Sequence, residues 1–131
     1  MKGYNKLSWN WLSFYGYLAQ TWNQKLAYEY GQSFGTDMKS VSIPGLWGFA
    51  CDLHIDPFFG RNNESPSEDA FLAGTVMAKA VSGVNTRGRY TFLKHFAVYN
   101  AYCDRTYMNK LLRNHLKAFR KLLLMVDLLV Q

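Results

Sequence analysis

The chain has 131 residues, of which 49% are hydrophobic and 18% charged, which is enough apolar side chain for one core and too much for a disordered polymer. Its longest uncharged apolar stretch, residues 122–126, falls far short of the ~20 residues a membrane helix needs, so no segment is expected to span a bilayer. The net charge of +6 suits an anionic partner, but much of it sits where Lys110, Arg113, Lys117, Arg120 and Lys121 accompany a helical apolar stripe.

Lys2 and Lys6 precede an aromatic run (Trp9, Trp11, Phe14, Tyr15) broken by Asn10 and Ser13. It has no continuous apolar centre and no small-residue cleavage site, so it does not read as a secretory signal, and a cytoplasmic location is expected. Leu18, Trp22, Leu26, Tyr30 and Phe34 recur at every fourth position and predict a helix that Gly35 ends. After Pro44-Gly45, the apolar run over residues 46–55 predicts a buried strand, followed by a loop rich in Gly, Asn, Ser and Pro. Ser67, with Glu68 and Asp69 behind it, reads as the N-cap of a second helix over residues 67–84. Leu72, Val76, Ala80 and Val84 form its inner face, and it stops around Gly83.

Residues 89–99, with Tyr90, Thr91, Phe92, Leu93, Phe96 and Val98, have strand composition. Strand, helix and strand in that order predict parallel strands joined by a crossover helix, hence an α/β fold. Leu112, Leu116, Phe119, Leu123 and Val126 then share one face of a last helix whose basic residues form the wet face. Cys51 and Cys103 are too distant for a redox pair and too few for a zinc site or a disulfide framework. Both are expected to be reduced and buried, and no metal or cofactor is implied.

In parallel α/β folds the ligand sits beyond the C-terminal ends of the strands. Two polar clusters fall at such places: Gly60-Arg61-Asn62-Asn63-Glu64 with Ser67-Glu68-Asp69, and Lys94-His95. Ionisable groups on a buried strand are costly unless they are paired or face solvent or ligand. The plain structural alternative pairs Lys94 with Glu64 or Glu68, pairs Arg61 with Glu64 or Asp69, and leaves His95 satisfied in the core.

Together these clusters match a known pattern. Pro57-Phe58-Phe59-Gly60-Arg61-Asn62-Asn63-Glu64-Ser65-Pro66-Ser67-Glu68-Asp69, then Leu72-Ala73-Gly74, Gly83-Val84 and Lys94-His95-Phe96-Ala97, resemble the N-terminal barrel domain of glycoside hydrolase family 3, the β-glucosidase family. The resemblance covers residues 18–119 of a single partial domain, 1–131. It implies part of a (β/α)8 TIM-type barrel, roughly the middle βα units, since a whole barrel takes about 250 residues. It also implies hydrolysis of β-linked glucosides with retention, by a carboxylate nucleophile and a separate acid/base carboxylate, without a cofactor.

By that resemblance Arg61, Lys94 and His95 hold the sugar hydroxyls, as a rigid donor fork, a flexible ammonium and an imidazole are suited to do. Glu64 and Asp69 would orient Arg61 and cap the helix. The family's nucleophile is an Asp in Ser-Asp-Trp, and none of Asp37, Asp52, Asp56, Asp69, Asp104 or Asp127 is followed by Trp, so no catalytic residue is assigned. The chain departs from the family at Phe49 (Pro), Ile55 (often Arg), Ala70 (Pro), and Tyr99-Asn100-Ala101-Tyr102, where Asn, Gln and Glu are usual.

A rival reading is a non-catalytic basic binding module for an anionic partner such as nucleic acid. It rests on the +6 charge and the 17% aromatic content, and no recognised nucleic-acid motif accompanies them. An open half barrel leaves strand edges unpaired, so self-association or a complementing chain is expected. Sedimentation combined with calorimetry checks this, and a monomer with one sharp unfolding transition contradicts it.

Overall fold

The computed structural model describes residues 15–95 and Tyr99, with Arg113, Leu116, Lys117 and Arg120 in helical conformation further on. The stripe that begins at Leu18 straddles two helices, α1 (Tyr15–Gln20) and α2 (Gln24–Ser40). Trp22 lies between them with a φ of 53° and is 65% exposed. Polar neighbours cause the break. The Thr21 hydroxyl donates to the Leu18 carbonyl at 2.7 Å, and the Asn23 side chain caps α2 by accepting from Leu26 N at 3.0 Å.

Helix α2 runs past Gly35 to Ser40, and its buried face is Ala27, Gly31, Phe34, Gly35 and Met38; of the expected stripe Leu18 and Phe34 are buried and Tyr30 packs against the core, while Trp22 and Leu26 are exposed. The partner helix α3 (Ala70–Asn85) explains the preference for small residues. A methyl group on Gly31 would lie 1.9 Å from the Ala80 carbonyl oxygen, and one on Gly83 would lie 2.1 Å from the Tyr28 carbonyl oxygen. Gly83 is therefore a packing position inside α3 and not its stop. The expected inner face of α3, Leu72, Val76, Ala80 and Val84, is buried. Twelve of its 16 residues are buried, as suits a helix packed against both α2 and the sheet. Its N-cap is Asp69, two residues beyond the expected Ser67. The Asp69 carboxylate accepts from Leu72 N at 2.6 Å, while the Ser67 hydroxyl orients the cap by accepting from Asp69 N at 3.0 Å.

Strands β1 (Gly45–Trp47) and β2 (Tyr90–Phe92) pair in parallel, Gly45 opposite Tyr90 and Trp47 opposite Phe92, with α3 between them in sequence. The predicted strand, helix, strand order holds, but each strand has three residues. Backbone bonds continue beyond them without regular strand geometry: Gly48 N to Phe92 O at 3.0 Å, Lys94 N to Phe49 O at 3.1 Å and Cys51 N to His95 O at 3.1 Å. A single parallel bridge, Leu53 to Ser67, draws the next stretch toward the start of α3. The result is a small α/β piece with parallel strands, consistent with part of a barrel.

Phe49 is fully buried, with the rings of Tyr15, Tyr30 and Phe34 at 5.6, 5.8 and 5.6 Å around it. Two of the three contacts are edge-to-face, which satisfies the aromatic quadrupoles. Cys51 is buried as expected, whereas Cys103 lies outside the described residues. In the last helix Arg113, Lys117 and Arg120 are exposed as expected, but Leu116 is 49% exposed. Positions 113, 116, 117 and 120 follow i, i+3, i+4, i+7 spacing, so Leu116 shares the basic face. Leu112, Phe119, Leu123 and Val126 lie outside the described residues. Among the described residues no helix is long and apolar enough to cross a membrane.

Gly31→Ala is expected to destabilise the fold by about 2–3 kcal/mol, because backbone atoms have to move to admit the methyl and this outweighs the ~1 kcal/mol gained in helix propensity. Gly60→Ala, with nothing within 4 Å of the added carbon, is expected to be near neutral; urea denaturation of both variants checks the contrast.

Candidate functional site

The C-terminal ends of the strands lead to one polar cluster. Arg61 stands at the head of a 3-10 turn, Asn62–Glu64, a geometry that eclipses residues three apart. Glu64 N donates to the Arg61 carbonyl at 3.0 Å, and the Glu64 carboxylate accepts from Arg61 Nε at 2.7 Å and Nη2 at 2.6 Å. Both side chains are about two-fifths exposed, so the pair fixes geometry more than it adds stability. The turn is anchored from behind, where Asn62 Nδ2 donates to the Asp56 carbonyl at 2.7 Å and the Asp56 carboxylate accepts from Phe58 N at 2.9 Å. Arg61 Nη1 donates to the Tyr99 hydroxyl at 3.3 Å.

Lys94 and His95 follow β2 and do not lie inside a strand, because β2 ends at Phe92. The bonds to Phe49 and Cys51 nevertheless hold their backbone against the chain that leaves β1. The Lys94 ammonium lies 5.6 Å from the centre of the Trp47 ring, within cation–π range. Among the described residues the ion pairs are Lys25–Glu29 and Arg61–Glu64, so Lys94 is not closely paired with Glu64 or Glu68. The His95 ring lies flat on Tyr99, with centroids 3.6 Å apart and planes 7° apart. Its Nε2 is buried and has no hydrogen-bond partner among the described residues, so the core-satisfied alternative for His95 is not met there.

Electrostatics draws the groups together. The Arg61 hydrogen bonds hold the Glu64 carboxyl below the usual range; burial opposes them, and the charges of Arg61, His95 and Lys94 add to the lowering. The same hydrogen bonds raise the already high pKa of Arg61. Burial first, then Glu64 and Cys51, push the Tyr15 hydroxyl up to about 12, and burial with Asp52 pushes the Cys51 thiol up to about 12. A thiol raised that far is protonated at neutral pH and is no nucleophile. The cluster thus presents three donor-bearing side chains around one ionised carboxylate, bordered by neutral Tyr15 and Cys51.

Arg61 bonds Glu64, Tyr99 joins Arg61 to His95, and Lys94 precedes His95 and lies against Trp47, while Asp69 caps α3 and makes no hydrogen bond or ion pair with Arg61 among the described residues. Two further residues join them. Asp52 is 2% exposed and accepts from Tyr99 N at 3.5 Å, and Tyr99 also meets Phe59 edge-on at 6.1 Å. Tyr99 carried a signal in the sequence, as a departure after Lys94-His95-Phe96. Asp52, a single acid in an apolar run, carried none.

The model of the glycosyl hydrolase family 3 N-terminal domain matches residues 11–126. The chain is 38% identical over 88 residues to beta-glucosidase A of Butyrivibrio fibrisolvens, covering 67% of this chain and 11% of that protein. It is 33% identical over 88 residues to an exo-alpha-(1->6)-L-arabinopyranosidase of Bifidobacterium longum, covering 67% of this chain and 12% of that protein. The crystal structure of a beta-glucosidase from Paenibacillus barengoltzii superposes with a TM-score of 0.71 at 25% identity, covering 83% of this chain and 12% of that one. The chain spans about a tenth of the length of the curated relatives it matches.

The lowered Glu64 pKa makes a signed prediction. Stabilisation from the Arg61 pair is present above the ordinary glutamate pKa and is lost as pH falls through the lower folded value. NMR titration of the Glu64 carboxyl should give a midpoint below the ordinary ~4.3, and Arg61→Ala should return it to that range. An unshifted midpoint in the unaltered chain contradicts the geometry.

Proposed function

The chain belongs to glycosyl hydrolase family 3, matching its N-terminal domain, and on that premise we propose that it forms part of the sugar-binding wall of a β-glucosidase-type glycoside hydrolase. The observation that carries this reading is that Arg61, paired with Glu64, and His95, next to Lys94, both meet Tyr99 beyond the ends of parallel strands, where α/β folds bind ligands. Arg61 offers a fork fixed by Glu64, Lys94 an exposed ammonium, and His95 a ring nitrogen unmatched among the described residues. A sugar hydroxyl both donates and accepts, so it suits all three. Beside Lys94, Trp47 and Phe92 meet edge to face at 6.4 Å and leave exposed apolar area for the C–H face of a pyranose.

The substrate class is a β-linked glucoside or a related pyranoside. Retaining hydrolysis needs two carboxylates about 5–5.5 Å apart across the scissile bond. Glu64 is tied to Arg61, and no aspartate of this chain precedes a tryptophan, so neither carboxylate role falls to a residue here. The three side chains hold and orient the ring, a contribution made through lost translational and rotational freedom, and the chain alone binds without cleaving.

A glucose titration followed by NMR should perturb Arg61, Lys94 and His95. Arg61→Ala and Lys94→Ala should each weaken binding about tenfold, roughly the worth of one charge-assisted hydrogen bond, and cost at most about 1 kcal/mol of stability. Unchanged affinity in both variants contradicts the reading, and release of an aryl alcohol from an aryl β-glucoside contradicts binding without cleavage.

A further inference from the structure

Tyr99 touches two of the three groups assigned to the sugar. Its ring covers the His95 imidazole at 3.6 Å, its hydroxyl accepts from Arg61 Nη1 at 3.3 Å, and the guanidinium carbon lies 5.2 Å from the ring centre. Phe59 braces its edge, and its backbone N–H is directed at the buried Asp52 carboxylate. We propose that Tyr99 is a specificity-determining cap, occupying surfaces of Arg61 and His95 that a pyranose would use and so limiting how much of a sugar the cluster admits.

Arg61 bonds Glu64 through Nε and one N–H of Nη2 and bonds Tyr99 through one N–H of Nη1, which leaves two of its five donors for a ligand. One face of His95 lies under a phenol ring at van der Waals distance, which leaves no space for a second ring on that face. Lys94, stacked over Trp47, is the member of the three that Tyr99 does not contact in any described interaction. A sugar placed against the covered face of His95 or on the Nη1 donor that Tyr99 uses must displace the phenol and forfeit its stacking, its cation–π contact and one hydrogen bond. These together amount to at least a tenfold loss of affinity. Tyr99 is itself 46% exposed, so it can be truncated without opening the core.

The inference rests on the sugar-binding reading, and its test separates the two. Glucose is titrated into the unaltered chain, Tyr99→Ala and Tyr99→Phe, and the His95 ring-proton shifts are recorded before sugar is added. Tyr99→Ala should bind glucose about tenfold more tightly and Tyr99→Phe by a smaller factor. Loss of the ring current should move the His95 ring protons downfield in Tyr99→Ala alone. Equal or weaker glucose affinity in Tyr99→Ala overturns the cap while binding by the unaltered chain leaves the sugar reading standing. Absence of binding by all three proteins overturns both, and unmoved His95 protons overturn the stacked geometry on which the cap depends.

Discussion

The contact between the backbones of α2 and α3 positions everything else. Gly31 and Gly83 admit the carbonyls of Ala80 and Tyr28 at distances no side chain tolerates, so the two helices lie closer than bulky residues would allow. With α3 fixed, both of its ends are fixed. Its N-terminus, capped by Asp69, follows the Arg61–Glu64 turn after residues 65–68. Its C-terminus feeds the turn into β2, which delivers Lys94 and His95.

Phe49 joins this packing to the site. Its ring fills the space between Tyr15, Tyr30 and Phe34, while its carbonyl accepts from Lys94 N. One residue therefore couples burial of the aromatic core to the placement of the Lys94 backbone. Arg61 is held differently, by a carboxylate three residues away on its own turn. That local pair needs little from the rest of the fold, whereas Lys94 and His95 depend on long-range backbone bonds to Phe49 and Cys51. The site combines one self-sufficient element with two that report on the integrity of the core.

Much of this was legible in the residues. The apolar spacing of Leu72, Val76, Ala80 and Val84 placed the inner face of α3, and the order strand, helix, strand gave the parallel pair. Of the two acids the sequence offered to Arg61, Glu64 and Asp69, the structure pairs it with Glu64. The apolar stripe is right at Leu18, Tyr30 and Phe34 and misses Gly31 and Gly35, because periodicity counts bulk and a backbone-distance contact selects for the absence of side chain. Trp22 fitted the period, yet Asn23 capped a new helix beside it. The strands were overestimated because apolar composition continues through Phe49 to Leu53 while regular pairing stops at Trp47. Phe49 and Tyr99 stood out only as departures from a family pattern, and their places, one as core hub and one beside Arg61 and Asp52, depend on neighbours far away in sequence.

The central claim is that Arg61, Lys94 and His95 act together on a sugar. A crystal structure of the chain grown with glucose tests it most directly. The account predicts ring hydroxyls at hydrogen-bond distance, roughly 2.7–3.2 Å, from Arg61, Lys94 and His95 Nε2, with the Arg61–Glu64 pair intact. Glucose bound elsewhere, or a fully formed cluster that holds no sugar at saturating concentration, would contradict it.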